Sequence, residues 1–348
     1  MISNTNSPSW TVHSNHDIFK RMEFACGTHQ DRYIVVAGGI RGWRHLLQSA
    51  VMYDITTQSI IRLPDLPHPG KCCGVVLKDF FYVATYSVQI YRICLVQRRE
   101  WEEVQNGMKD IIVDMITDGN HLYLFGSINR MYRYNPNKDE LVKLTSKSMY
   151  SRHHDFTTAV IDHQLYVIGG GNILENDTVE IFDLNTHVWT HGVSLPKPIV
   201  FPVACVIENK WIVVTGGRAH DVVIFVYDLQ TQQWTENESL LSHYRVEHSH
   251  LKVGTQMVSV GGSDININFC PIETIHVKHL ISDWCWERIK DLILLRELVD
   301  QNRAHPIKLL TTNVKCDLYS SIDSNAVLRK VIVDVSLDVF RHVISFII

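Results

Sequence analysis

Two histidine pairs have a spacing that could support metal chemistry. His248 and His250 are separated by one residue, so both imidazoles would project from the same face of a β-strand. His153 and His154 adjoin Asp155 at the start of another apolar run. Paired imidazoles bind zinc or copper, but no third and fourth ligand at a diagnostic spacing accompanies either pair. The sequence therefore predicts no metal site and no bound cofactor.

Common catalytic signatures are missing from the sequence. It contains neither the phosphate-binding pattern Gly-x-x-x-x-Gly-Lys-Ser/Thr nor the serine nucleophile pattern Gly-x-Ser-x-Gly. The eight cysteines are scattered and form no Cys-x-x-Cys pair. This distribution favours reduced thiols in the cytosol or nucleus over disulfides, and we expect a cytoplasmic protein without catalytic activity.

Charge and hydropathy argue against nucleic acid and membrane as partners. The 33 basic and 37 acidic residues give a net charge of −4 and form no long run of one sign. No apolar run approaches the roughly 20 residues that cross a bilayer, and the start of the chain lacks the pattern of a secretory signal. We therefore expect neither nucleic acid nor a membrane as a partner.

A repeat organises most of the chain. Four segments are β-rich apolar runs that end in a glycine pair: Ile34 to Gly39, Leu165 to Gly170, Ile212 to Gly217 and Met257 to Gly262. Two weaker copies, Phe81 to Tyr86 and Leu122 to Ser127, have lost one or both glycines. The first glycine positions are 38, 85, 126, 169, 216 and 261. This near-even spacing predicts six copies of one structural unit.

Each unit has the pattern of a four-stranded antiparallel sheet. An apolar strand A and a short polar turn precede the glycine-ended strand B, which is a hairpin signal. An aromatic-polar pair such as Phe182-Asp183 marks strand C, and a tryptophan such as Trp189 or Trp234 begins strand D. One such sheet cannot bury both faces alone, whereas sheets stacked around an axis bury them. We expect the tryptophans to pack between these blades.

The segments Leu165 to Gly170 and Val179 to Asp183, followed by Trp189, resemble the repeat of the kelch family. The resemblance implies an all-β fold, a kelch β-propeller, and the six glycine positions predict that it has six blades. Residues 291–348 contain no such landmark and are expected to form a short mixed C-terminal extension. It also implies a protein-interaction module, such as a substrate-recognition adaptor of a ubiquitin ligase or an actin-associated cytoskeletal adaptor. Because some kelch propellers are enzymes, a small-molecule or carbohydrate-active enzyme is the alternative. An enzyme should show a deep axial pocket with converging groups, and an adaptor a shallow basic rim.

The order of the strands predicts where a partner binds. If A runs one way and B returns, the loops from B to C and from D to the next A share one rim of the ring. The residues expected to bind on this rim are basic or aromatic: Arg41, Arg44, Arg130, Arg152, Arg218, His220, Tyr244 and Arg245. Such side chains suit an acidic or phosphorylated peptide, and the resemblance also assigns the ligand to this rim. Arg21, Lys109 and Arg152 each lie 17 residues before a first glycine position, so a structural role is equally compatible with that position.

The predicted domains are an N-terminal segment, residues 1–20, a propeller, residues 21–290, and an extension, residues 291–348. The units lie near residues 21–64, 71–104, 109–144, 152–195, 199–240 and 245–289. Trp10 lies 16 residues before Cys26, as Trp189 does before Cys205, so residues 10–12 resemble a strand D that closes the last blade. Trp284 to Ile289 competes for this role. The surplus strand leaves a seventh blade from the tail open, although six blades are the preferred count.

Overall fold

A computed structural model describes residues 10–13, 16–42, 44–85, 88–104, 110–126, 130–144, 156–170, 177–199, 201–216, 223–237, 245–264, 270–277 and 280. By its internal contacts the chain divides into residues 1–284 and residues 285–348. All the strands of the described residues belong to the first unit. The second unit, the predicted extension at 291–348 and the candidate strand at 284–289 lie outside the described residues. No helix among the described residues has the length and apolar character needed to span a membrane.

The described residues form β-strands and one turn of 3-10 helix at Asp17–Phe19. In chain order the strands are β1 (Thr11–Val12), β2 (Ala25–His29), β3 (Tyr33–Ala37), β4 (Ile40–Arg41), β5 (His45–Leu46), β6 (Ala50–Asp54), β7 (Ile60–Leu63), β8 (Cys72–Leu77), β9 (Phe80–Thr85), β10 (Ile90–Cys94), β11 (Glu102–Val104), β12 (Ile112–Thr117), β13 (Leu122–Gly126), β14 (Arg130–Asn135), β15 (Glu140–Lys143), β16 (Phe156–Ile161), β17 (Gln164–Gly169), β18 (Val179–Asp183), β19 (Trp189–His191), β20 (Val203–Ile207), β21 (Trp211–Gly216), β22 (Val223–Asp228), β23 (Gln233–Asn237), β24 (Val246–Val253), β25 (Gln256–Ser263) and β26 (Glu273–His276).

Six of the sheets have four antiparallel strands each and are the blades. Their strand orders, from the innermost strand outward, are β2-β3-β6-β7, β8-β9-β10-β11, β12-β13-β14-β15, β16-β17-β18-β19, β20-β21-β22-β23 and β24-β25-β26-β1. We number these sheets blade 1 to blade 6. Each innermost strand contacts the next, and β24 contacts β2, so the ring is closed. The predicted six-bladed all-β propeller is confirmed.

The N-terminal strand β1 completes blade 6. Thr11 pairs with Thr274 and Val12 with Glu273 in antiparallel register. The backbone N–H of His13 donates to the carbonyl of Ile272 at 2.8 Å and extends the ladder. Because the two ends of the chain segment that forms the ring meet in one sheet, opening the ring requires breaking this sheet.

The core consists of six apolar clusters, one between each pair of neighbouring blades. Tryptophans of the described residues lie in them, among them Trp10 between blades 5 and 6, Trp189 between blades 3 and 4, and Trp234 between blades 4 and 5. Trp10 is 5 % exposed, whereas Trp189 and Trp234 are only half-buried. The indole N–H of Trp234 donates to the Val193 carbonyl of the preceding blade at 2.8 Å. Strand D is thereby fastened to the neighbouring blade as well as to its own.

In blades 1, 4 and 6 the second glycine of the pair lies against the start of its own strand A. Gly39 and Gly262 have φ angles of 91° and 79°, which side-chain-bearing residues rarely adopt. A Cβ atom at Gly39 would approach the Met22 carbonyl oxygen to 2.7 Å, and one at Gly262 would approach the Val246 carbonyl oxygen to 2.6 Å. The glycine pair therefore permits a close approach of two backbone segments where strand B ends and strand A begins. Blades 2 and 3 lack the pair.

Candidate functional site

The BC loop of blade 1 folds into a separate hairpin on the predicted rim. Its strands, β4 and β5, pair through Ile40 with Leu46 and Arg41 with His45. The backbones of Ile40 and Met22 exchange two hydrogen bonds of 2.9 Å, which attach the hairpin to the segment before β2. The hairpin is therefore a fixed platform rather than an unsupported loop.

Arg41 and Arg44 are exposed on this hairpin. The Arg41 guanidinium donates to the backbone carbonyls of Asp17 at 2.7 Å and Lys20 at 3.4 Å. Neither arginine forms an ion pair with a carboxylate among the described residues. His45 beside them is exposed, and Leu46 is 47 % exposed. The hairpin thus presents two positive charges next to apolar surface, which is the composition of many peptide-binding surfaces.

Arg130, at the start of β14, is only partly available. Its Nη1 donates to Asp110 Oδ1 at 2.9 Å, and its side chain is 40 % exposed. The Tyr132 hydroxyl donates to the other carboxylate oxygen of Asp110. Burial acts to raise the pKa of Asp110, but the hydrogen bonds from Tyr132 and Arg130 outweigh it and lower this pKa. Arg130 could bind a partner's acid only in competition with Asp110.

Arg245 requires a correction, because the structure buries it. The residue is 2 % exposed, and its guanidinium donates to the carbonyls of Gly261 at 3.1 Å and Pro271 at 2.9 Å. Its Nη2 pairs with Glu273 Oε1 at 2.5 Å, and both side chains of this ion pair are 0 % exposed. Arg245 fixes the top of blade 6 and does not face a partner.

Arg21 has the same role in blade 1. It is 1 % exposed and donates to the carbonyl of Gly38, the first glycine of its pair, at 2.8 Å, as Arg245 does to Gly261. Burial lowers the pKa of Arg21 to about 10, so it stays protonated at neutral pH. For Arg21 the structural interpretation of the repeated basic position is correct. Four further predicted rim residues lie outside the described residues: Arg152, Arg218, His220 and Tyr244.

A channel of about 520 Å³ runs among the innermost strands of all six blades. The residues 12 positions before each first glycine position all line it: Cys26, Cys73, Asp114, Thr157, Ala204 and Ser249. Contacts between neighbouring blades join several of these positions into a belt. Thr157 Oγ1 accepts from the backbone N–H of Ala204 at 2.9 Å, and Thr158 Oγ1 donates to Asp114 Oδ2 at 2.8 Å.

Sequence reasoning missed Asp114, although a signal for it existed. Aligning the units on their glycine positions puts one carboxylate among five neutral residues. Burial raises the pKa of Asp114, against the opposing effect of the Thr158 hydrogen bond. Burial, followed by the nearby charge of Asp114, also raises the pKa of the Cys73 thiol. This thiol is therefore a poor nucleophile near neutral pH.

The predicted histidine pair lies at the blade 5–6 boundary and borders the channel. The Nε2 atoms of His248 and His250 are 2.7 Å apart, and Thr215 Oγ1 lies 2.6 Å from that of His250. Burial, followed by the charge of Arg245, lowers the pKa of His250 to about 3. Within the described part of the chain, no group of three His, Cys, Asp or Glu side chains could hold a metal ion.

Six four-stranded sheets in a closed ring define a β-propeller. Comparison with known proteins specifies the class further. Residues 152–196 match the family model of the kelch motif. The chain is 31 % identical over 144 residues to Kelch-like protein 36 of Rattus norvegicus and 24 % identical over 193 residues to Kelch-like protein 38 of Homo sapiens. The propeller thus contains one matched kelch motif, at residues 152–196, and is similar in sequence to these kelch-like proteins.

Each match covers only part of this chain and part of the relative. They span 39 % of this chain and 22 % of Kelch-like protein 36, and 51 % of this chain and 33 % of Kelch-like protein 38. An F-box/kelch-repeat protein of Arabidopsis thaliana matches over 81 residues at 28 % identity, or 23 % of this chain and 22 % of that protein. The chain thus spans a third or less of the length of these curated relatives.

Proposed function

We propose that this chain is a protein-interaction module without catalytic activity, which binds an acidic or phosphorylated segment of a partner on the BC and DA rim. The observation that carries the proposal is the anchored hairpin β4–β5. It holds Arg41 and Arg44 exposed, and neither forms an ion pair among the described residues, although the charge of Arg41 contributes to lowering the pKa of Asp17. An exposed charge that is not held in an ion pair is available for a ligand of opposite charge.

The finer proposal is a substrate-recognition or cytoskeletal adaptor. The name of one relative, an F-box/kelch-repeat protein, supports the role of substrate-recognition adaptor. A rim assembled from several blades suits an adaptor, because loops far apart in sequence contact one partner.

The enzyme alternative has less support. The axial channel exists and contains a carboxylate, thiols and imidazoles. However, in the described ranges these groups do not converge into a metal site, and the half-buried Cys73 thiol is held protonated by its surroundings. Binding is therefore the function that the geometry favours.

The test uses two labelled peptides of equal charge, a hexaglutamate and a phosphoserine peptide, with fluorescence anisotropy as the measurement. The double variant Arg41→Ala/Arg44→Ala should weaken binding about tenfold, because two exposed ion pairs contribute about 0.7 kcal/mol each. Raising the salt concentration should weaken binding to the native chain more than to the variant, because exposed charges are screened.

Two other exposed arginines provide a matched control. Arg62 lies on the outer strand β7, and Arg99 lies in the connection from β10 to β11, on the opposite rim. The variant Arg62→Ala/Arg99→Ala removes the same charge and should bind both peptides as the native chain does. If the two double variants weaken binding equally, the effect is one of net charge and the rim proposal fails. Circular dichroism verifies that both variants fold.

We also infer that the protein works in a reducing compartment such as the cytoplasm. The cysteines of the described residues are all free thiols: Cys26, Cys72, Cys73, Cys94, Cys205 and Cys270. Burial raises the pKa of the Cys26 and Cys205 thiols to about 12. These thiols therefore stay protonated at neutral pH and react slowly with oxidants. This pattern is typical of proteins kept reduced.

A further inference from the structure

One blade departs from the other five at the belt that lines the channel. Five of the equivalent positions carry small neutral side chains, and the sixth carries the carboxylate of Asp114. In the other five blades, the innermost strands pack side by side with a neutral residue at this position. The propeller fold therefore does not require a charge at this place.

Asp114 is incompletely compensated. It accepts hydrogen bonds from the Thr158 hydroxyl and from the backbone N–H of Met115, both at 2.8 Å. Asp114 is half-buried, and no cationic side chain of the described residues pairs with it, although even partial desolvation of a carboxylate is costly without a counter-charge. Two hydrogen bonds also leave part of the acceptor capacity of a carboxylate unused.

The backbone of β12 is irregular at this residue. The pairing of β12 with β13 shifts between Ile112 and Asp114, which is a β-bulge. A bulge inserts one residue and redirects the side chains that follow it, and bulges are frequent next to functional sites. Strand A pairs with strand B without such a shift in blades 1 and 2.

Among the described residues that line the channel, Asp114 is the one that carries a carboxylate. Lys252 also lines the channel, but its Nζ lies 3.3 Å from Glu208 Oε1 in an ion pair. The imidazoles of His248 and His250 are neutral at physiological pH, because burial lowers the pKa of both. Two aromatic residues, Phe24 and Phe156, are also part of the wall, and aromatic rings attract cations.

We propose that the channel binds an organic cation, an ammonium or guanidinium group whose charge pairs with Asp114. The volume of about 520 Å³ is in the range of sites that hold small molecules. Either a free amine or the arginine or lysine side chain of a bound peptide supplies this group. The site is independent of the basic rim, since it selects the opposite charge.

Isothermal titration with two guanidinium probes tests the proposal and distinguishes the sources. Agmatine represents a free cation, and the tripeptide acetyl-Gly-Arg-Gly-amide represents a partner's side chain. At least one should bind, and 1-pentanol, a neutral chain of similar length, should not. Binding by agmatine alone assigns the site to small molecules, and binding by the tripeptide assigns it to a partner.

The variant Asp114→Asn should keep the fold and lose most of the binding. It removes the charge without changing the size of the side chain, so affinity for the probe should fall about tenfold or more. The melting temperature should stay equal or rise, since a desolvated charge is lost. The control Asp79→Asn removes a carboxylate whose side chain is 58 % exposed and should bind like the native chain.

Three results would overturn the proposal. The first is binding of neither probe to the native chain, and the second is equal affinity of Asp114→Asn and the native chain. The third is a melting temperature of Asp114→Asn that falls by more than about 5 °C, which would make Asp114 a structural member of the belt. The comparison of agmatine with 1-pentanol on the native chain remains decisive even if the variant does not fold.

Discussion

Replacing Arg245 by methionine separates a structural role from the rim-binding role that its position in the sequence predicts. In the native chain its guanidinium satisfies the carbonyls of Gly261 and Pro271 and pairs with Glu273 in a fully buried ion pair. Methionine fills a similar volume but leaves the Glu273 carboxylate without this counter-charge. Removing one partner of a buried pair typically costs about 3 to 5 kcal/mol. We expect the free energy of unfolding to fall by this amount.

Urea denaturation followed by circular dichroism measures the effect. At about 1.5 °C per kcal/mol for a protein of this size, the melting temperature should fall by about 5 to 8 °C. The double variant Arg245→Met/Glu273→Gln should recover part of the loss, because it removes the uncompensated charge as well. The matched control Arg44→Met changes an exposed arginine and should cost less than about 0.5 kcal/mol. A stable Arg245→Met variant with weakened peptide binding would refute the structural assignment.

Two further predictions concern the boundary between blades 5 and 6. The folded chain lowers the pKa of His250 from 6.5 to about 3 and that of His248 well below 6.5, so stability should be full above about pH 6.5 and decrease as the pH falls below it. His250→Leu should reduce this pH dependence of the melting temperature, whereas replacing the exposed His45 should leave it unchanged. Trp10→Ala should cost about 3 to 5 kcal/mol, since Trp10 is buried beside the strand that closes the ring, and limited proteolysis should then cut the N-terminal segment faster.

The blades could be predicted from the sequence because each of their landmarks has a local physical cause. The glycine pairs mark a backbone crossing that excludes Cβ atoms, and Gly39 and Gly262 show this crossing directly. Tryptophans seven residues after the aromatic-polar pair mark the boundary between blades, where Trp189 and Trp234 are found. Six repeats of such local signals specify the ring even where blades 2 and 3 lack the full pair.

The roles of individual charges could not be predicted in the same way. Arg245 and Arg41 both belong to top loops by sequence, but one side chain turns inward to Glu273 and the other outward on a hairpin. That difference depends on a glutamate 28 residues away, which no local pattern identifies. Asp114 was missed because only the assembled ring shows that it lines a channel formed by the innermost strands of all six blades.

In a repeat protein, a residue type that recurs in equivalent positions is explained by the fold, and a residue that occurs in one unit alone needs another explanation. Arg21 and Arg245 recur and hold the carbonyls of equivalent glycines, so they are structural. Asp114 in blade 3 is unmatched among the six equivalent channel positions. Because its charge costs the fold desolvation without an ion pair in return, we look for the compensation in a ligand. The same reasoning makes Arg41 and Arg44, rather than Arg245, the arginines whose exchange should alter binding without altering the fold.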